Sequence, residues 1–218
     1  MRDPLHTPEA LELLATSEML AGGRLGPADA PAAIAANDGL RVYAVRWPAF
    51  GDVCGEGLLL EPTTAPLANV VAIPDADHTP EMIAGLVDGL PAEAQYARRL
   101  AESGCRVVVP ALVNRQVEKR RNVRLTNRER VYRPAFEMGR HVIGYELQQI
   151  LAVVAWMSRE EKAGAGRPKI GVIGWGEGGL LALYAGALEP RIDAVCVSGY
   201  CDSRQDLWQE PLDRNVFG

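Results

Sequence analysis

The sequence predicts an α/β fold, a mostly parallel sheet with helices on both faces, and three observations predict it. Short runs rich in valine and isoleucine alternate with longer helical patterns, the rhythm of parallel strands joined by crossover helices. Between Lys169 and Tyr184 a strand runs through a glycine-rich turn straight into a helix. The 218 residues, 48% of them hydrophobic, suffice for one sizeable core. Residues 1–39 are expected to form a peripheral lead-in and 40–218 the α/β domain.

The elements follow in order. Pro8 to Leu20 has a helical pattern, and the Ala/Gly/Pro-rich stretch from Ala21 to Ala36 has little large apolar surface to bury. Leu40 to Trp47 and Gly57 to Pro62 read as two strands with a turn around Phe50 to Asp52, an antiparallel pair at the sheet edge. Parallel strands are predicted at Asn69–Ile73, Arg106–Val109, Lys169–Ile173 and Ala194–Ser198. Helices fall near Ala92–Ser103, Gly144–Met157 and Gly178–Leu188, with Gly104 stopping the first and Pro190 following the last. Thr79-Pro80-Glu81 carries the signature of a helix start, with a capping threonine, proline in the first turn and an acid beside it.

Composition narrows the function classes. The net charge of −5 argues against a wholesale electrostatic grip on nucleic acid. The window Asn114 to Arg140 is nonetheless +6, which leaves −11 for the remainder, so either an anionic partner or an internal ion-pair network is expected there. The four cysteines have neither metal-ligand spacing nor the density of a disulfide framework; buried free thiols and no metal are the expectation. No signal-peptide core and no membrane-length apolar run is present, so the cytoplasm is the default expectation, with no membrane partner.

The sharpest local signal is Gly174-Trp175-Gly176-Glu177-Gly178-Gly179. Two mechanisms use such a turn. A nucleophile elbow needs small flanking residues so that one side chain can rise above the sheet beside the positive end of the next helix. A dinucleotide fingerprint, which Gly174, Gly176 and Gly179 match literally, needs missing side chains so that a pyrophosphate can reach backbone N–H groups. Such a fingerprint normally follows the first strand of its unit, whereas at least two strand–helix units precede this one. No ribose-binding acid falls cleanly about twenty residues on, since Asp193 precedes its predicted strand and Asp202 comes late.

The order Asn69 to Asp77, then Tyr96 to Pro110, then the Gly174 turn with Ala194 to Gly199 behind it, resembles the central strands of an α/β-hydrolase, in particular the dienelactone hydrolase and acetyl xylan esterase branch. The resemblance covers about residues 40 to 210 and implies ester or lactone hydrolysis as the ancestral chemistry, without a cofactor. It implies Gly176 at the nucleophile position, where a glycine cannot attack an ester. It further implies oxyanion-binding backbone N–H groups at Glu177 and in the turn Pro74 to His78, at Ala76 and Asp77. That turn reads Pro-Asp-Ala-Asp-His, so two acidic side chains would crowd a site meant for a developing anion. The family's acid and histidine normally come from later loops, and the expectation is a sheet incomplete at its C-terminal end, with the missing segment, or a second copy of the chain, covering an exposed strand edge.

Other candidates are weighed beside these. Glu177 and Asp202 are the candidate catalytic side chains; Asp202, just beyond a predicted parallel strand, reads either as a displaced triad acid or as an Asx turn. His78 reads either as a group projecting into the cleft or as a structural or exposed histidine. Arg128, Arg133 and Arg140 read either as a fork-geometry pocket for a carboxylate or phosphate or as a solvated helix face with Glu129 and Glu137 as partners. Three functions therefore stand open. The first is an ester-bond hydrolase, if the full-length protein is active, acting on a small molecule such as an anionic compound or a carbohydrate ester. The second is a non-catalytic domain holding an anionic ligand through those arginines, and the third is a nucleotide-binding protein using the 174–179 turn.

Overall fold

A computed structural model describes residues 33–120, 123–159 and 168–212. The helix expected at Pro8 to Leu20 lies outside them. Nine strands occur among the described residues: β1 (Ala35–Ala36), β2 (Leu40–Phe50), β3 (Val53–Pro62), β4 (Asn69–Ile73), β5 (Arg106–Pro110), β6 (Val117–Arg120), β7 (Val123–Thr126), β8 (Ile170–Trp175) and β9 (Ala194–Ser198). Five α-helices accompany them: α1 (Pro80–Ile83), α2 (Tyr96–Glu102), α3 (Asn127–Glu137), α4 (Val142–Met157) and α5 (Glu177–Leu188).

Seven strands form one sheet in the order β1-β2-β3-β5-β4-β8-β9. The pairs β5–β4, β4–β8 and β8–β9 are parallel, whereas β1, β2 and β3 run as an antiparallel ribbon onto β5. This is the predicted mixed sheet, parallel at its centre. β1 lies inside the stretch expected to be peripheral; at two residues it is too short for alternation to mark it.

Both faces are covered, and this is why the central strands read as unbroken apolar runs. On one face Val71, Ile73 and Val108 pack under Ile150, Val153 and Val154 of α4 and Leu181 and Ala185 of α5. On the other, Val70, Ala72, Val107 and Val109 meet Ile83 of α1 and Ala97 and Ala101 of α2. The antiparallel ribbon is tied to α4 by the Trp47 indole N–H, which donates to the Gln149 carbonyl at 3.0 Å, and by the Gln149 amide, which donates to the Cys54 carbonyl at 3.1 Å.

The basic segment folds as a β6–β7 hairpin followed by α3. Thr126 caps that helix by accepting from the Glu129 N–H at 3.1 Å, three residues on, as a capping threonine does. Thr79 caps α1 in the same manner, with Pro80 in the first turn, as the sequence predicts. No helix of the described residues is long and apolar enough to cross a membrane, and no group of three metal-ligating side chains occurs among them.

Candidate active site

In a parallel sheet the carboxyl ends of the strands open the crevice where side chains from several loops meet. Here those loops are the turn 74–79 after β4, the segment 111–116 after β5 and the glycine turn after β8. The glycine turn has the geometry of an elbow. Gly176 adopts φ 56° and ψ −119°, a combination that glycine takes freely and a residue with a Cβ takes only under strain. A Cβ on Gly174 would run into the Gly178 backbone, and one on Gly178 into the carbonyls of Ile73 and Pro74, so both flanking glycines are required for the helix to leave the strand this tightly.

The space above Gly176 is filled. A Cβ there would collide with Asp75 Oδ2, so a carboxylate from the neighbouring turn lies where a side chain of residue 176 would begin. That carboxylate is held by backbone donors. The Glu177 N–H donates to Asp75 Oδ2 at 2.9 Å, and the Asp77 N–H donates to Asp75 Oδ1 at 2.9 Å. Burial alone would raise the Asp75 carboxyl, but these two N–H groups and the Arg115 guanidinium outweigh it and hold it below the usual carboxylate range. From α2 the Tyr96 hydroxyl braces the end of β4 by donating to the Ile73 carbonyl at 2.6 Å. Burial, with the Asp75 charge adding to it, pushes that phenol well above its ordinary value.

Behind Asp75 runs an ion-pair network. Arg115 reaches Asp75 at 3.0 Å, Asp77 at 3.3 Å and Glu177 at 3.2 Å. Arg128, fully buried, donates to Glu177 Oε1 at 3.3 Å and engages both oxygens of Glu146 at 2.8 and 3.0 Å. It also donates to the Val113 carbonyl at 2.9 Å, while the Val113 N–H donates to Glu146 Oε1 at 3.0 Å. Burial pushes Glu146 upward against the pull of Arg128, and the Glu177 charge adds to the rise.

Several residues singled out in the sequence take other parts than expected. Glu177 is not a free acid, because each of its carboxylate oxygens faces a guanidinium. Asp202 is exposed, its Oδ1 accepts from the Ser203 N–H at 2.7 Å, and it makes none of the network's ion pairs. The arginine pocket is not assembled. Arg128 is buried, Arg133 pairs with Glu129 on the exposed face of α3, and the Arg140 guanidinium lies 5.9 Å from the ring centres of both Phe50 and Tyr145. Arg128 turns inward, where Glu146, Glu177 and the Val113 carbonyl receive its guanidinium, whereas Arg133 turns outward.

His78 lines a cavity of about 450 Å³ together with Ala76, Asp77 and Arg115. The sequence reading missed Arg115 and Glu146, and it took Asp75 only as one of two crowding acids. A signal existed for Asp75, an acid directly after a central parallel strand. None existed for Glu146, which lies inside an apolar helix.

A family model described as the dienelactone hydrolase family matches residues 56–209. The chain belongs to the dienelactone hydrolase family. Solved structures of similar fold include a Bacteroides fragilis protein assigned as an acetyl xylan esterase, with TM-score 0.58 and 21% identity over 76% of this chain and 47% of that one. Acetyl xylan esterase 1 of a Thermoanaerobacterium species gives TM-score 0.53 and 13% identity over 81% of this chain and 53% of the other. The family member described here thus spans about half the length of these two structures. No curated protein sequence matches it. Together with the mixed sheet, these likenesses make the fold an esterase-like α/β-hydrolase fold.

Proposed function

We propose that this dienelactone hydrolase family member is a non-acylating one: it keeps the elbow and crevice of an ester hydrolase and binds in that crevice without forming an acyl–enzyme at residue 176. A single observation carries this reading. Glycine stands at the apex of the elbow, and the Asp75 carboxylate fills the space that a nucleophile's side chain would enter.

Acyl transfer needs a nucleophile and N–H donors aimed at a developing oxyanion. Glycine offers no nucleophile. The Glu177 and Asp77 N–H groups, which the family resemblance casts as oxyanion donors, are already spent on Asp75, so the crevice carries an anion of its own. Asp75 is also a poor substitute. A carboxylate held below its ordinary pKa by three donors is a weak base and a weak nucleophile. The same carboxylate speaks against the nucleotide reading, because a pyrophosphate at the start of α5 would meet a negative charge.

The test is hydrolysis of a chromogenic acetyl ester by the purified chain, beside a Glu177→Gln variant. The expected outcome is a rate at the buffer background for both. Turnover above background by the wild-type chain that falls in Glu177→Gln would refute the reading.

A further inference from the structure

A helix packed on a sheet ordinarily turns a polar side to water, and α5 lacks one. From Glu177 to Leu188 its only charged residue is Glu177, whose side chain belongs to the ion-pair network. Leu181, Ala182 and Ala185 are buried in the core, whereas Leu183, Tyr184 and Leu188 are exposed. Beside α5, β9 ends the sheet, and its outer edge pairs with no strand among the described residues. Ala194, Val195 and Cys196 are exposed there, and no charge occurs from Ala194 to Cys201. Proteins usually guard an open edge with lysine, proline or a bulge. An unguarded edge under a helix that is apolar on both sides is the signature of a covered surface.

The edge is complementary to itself. A twofold axis normal to the sheet sets two β9 strands side by side, antiparallel, with each face of the sheet kept on its own side. The Gly176 N–H donates to the Ser198 carbonyl at 2.9 Å, so the backbone groups of Ser198, and by alternation those of Cys196, face β8. Those of Val195 and Val197 face outward. Centring the axis on Cys196 places Val195 opposite the partner's Val197 and engages every one of these outward N–H and C=O groups. Moving it to Val195 would oppose Val197 to Asp193, whose N–H is already committed to the Ile170 carbonyl. Neither β9 nor the outer side of α5 carries a charge, so no like-charge repulsion opposes the contact. A Cβ on Gly179 would meet Ser198 and Tyr200, and one on Gly186 would meet Val195, so α5 runs antiparallel to β9 with Leu183 level with the strand's centre. We infer that this chain dimerises through β9, which extends one sheet across both protomers, with the two α5 helices flanking the seam. The inference does not depend on whether residue 176 can be acylated.

Cys196 supplies the test. In this register it lies opposite the partner's Cys196 in a non-hydrogen-bonded pair, with Cα atoms about 4.5 Å apart, within the range of a disulfide. Diamide, reduced to its hydrazine as it takes up the two thiol hydrogens, is expected to link the chain into a covalent dimer. Cys196→Ser is expected to abolish that product and Cys201→Ser to leave it unchanged. In light scattering at micromolar concentration, the wild-type chain and Cys196→Ser are both expected at twice the chain mass. Leu183→Glu, which sets two carboxylates across the axis, is expected at the mass of one chain with an unchanged circular dichroism spectrum. A monomeric wild-type chain, which would leave the edge to some other chain or segment, overturns the inference. So does a dimer that diamide does not link through Cys196, or one that persists in a folded Leu183→Glu.

Discussion

Around the elbow, the carboxylates of Asp75, Glu146 and Glu177 find partners in Arg115, Arg128 and backbone N–H groups. On the outer face of α3, Arg133 and Glu129 pair beside solvent. The first region resembles a protein interior that happens to be ionic, whereas the second is a solvated helix face. A buried ion pair is costly to break from one side, whereas an exposed one is screened by solvent. Chemistry that looks catalytic in one dimension, an acid at the elbow and a row of arginines, can thus be structural.

The contrast can be broken most forcefully at Arg128. Arg128→Met removes one partner of a buried ion pair and leaves Glu146 and Glu177 facing each other's charge, for an expected loss of about 3–5 kcal/mol in urea unfolding. Arg133→Ala, on the exposed face of α3, is expected to change stability by less than about 0.5 kcal/mol. Equal losses for the two would erase the distinction between a buried network arginine and a solvated one.

Next in size is Gly176→Ala. The added Cβ must adopt φ near 56° and displace Asp75, at an expected cost of about 1–3 kcal/mol. In an Asp75→Gly background the steric part disappears, so the cost of the same change should fall. A cost unaltered by that background would mean that Asp75 does not occupy the elbow in solution.

The smallest expected effect is in pH dependence. The folded-state pKa of Asp75 is depressed, so it contributes stability that is present above its unfolded value, about 4, and is lost as pH falls through the folded value. Glu146, raised by burial, has the opposite sign: its contribution is complete below its unfolded value and is lost as pH rises through the folded one. Asp75→Asn should therefore be less stable than wild type at neutral pH, and the gap should narrow below about pH 4. A gap that widens in acid would contradict the depressed Asp75 pKa.

Much of the sheet was legible beforehand because its signal is local. β4 and β9 have the bounds that their apolar runs predict, and the Thr79 cap of α1 follows from three adjacent residues. The β6–β7 hairpin was not legible, since charged residues interrupt any alternation there. The glycine turn was legible as a turn but ambiguous between two chemistries. What separates them is the Asp75 carboxylate, which comes from a turn 102 positions earlier in sequence than the Glu177 N–H it accepts from.

The amino-acid order by itself determined the parallel core, the elbow and the glycine at its apex, because strand propensity, capping and backbone permissiveness act over a handful of neighbouring residues. Only the tertiary structure decided which charges cancel. Whether Arg128 serves a ligand or Glu146, and whether Asp75 crowds the elbow or fills it, depends on side chains brought together from separate strands and helices, and Coulombic and hydrogen-bond partners are set by distance in space.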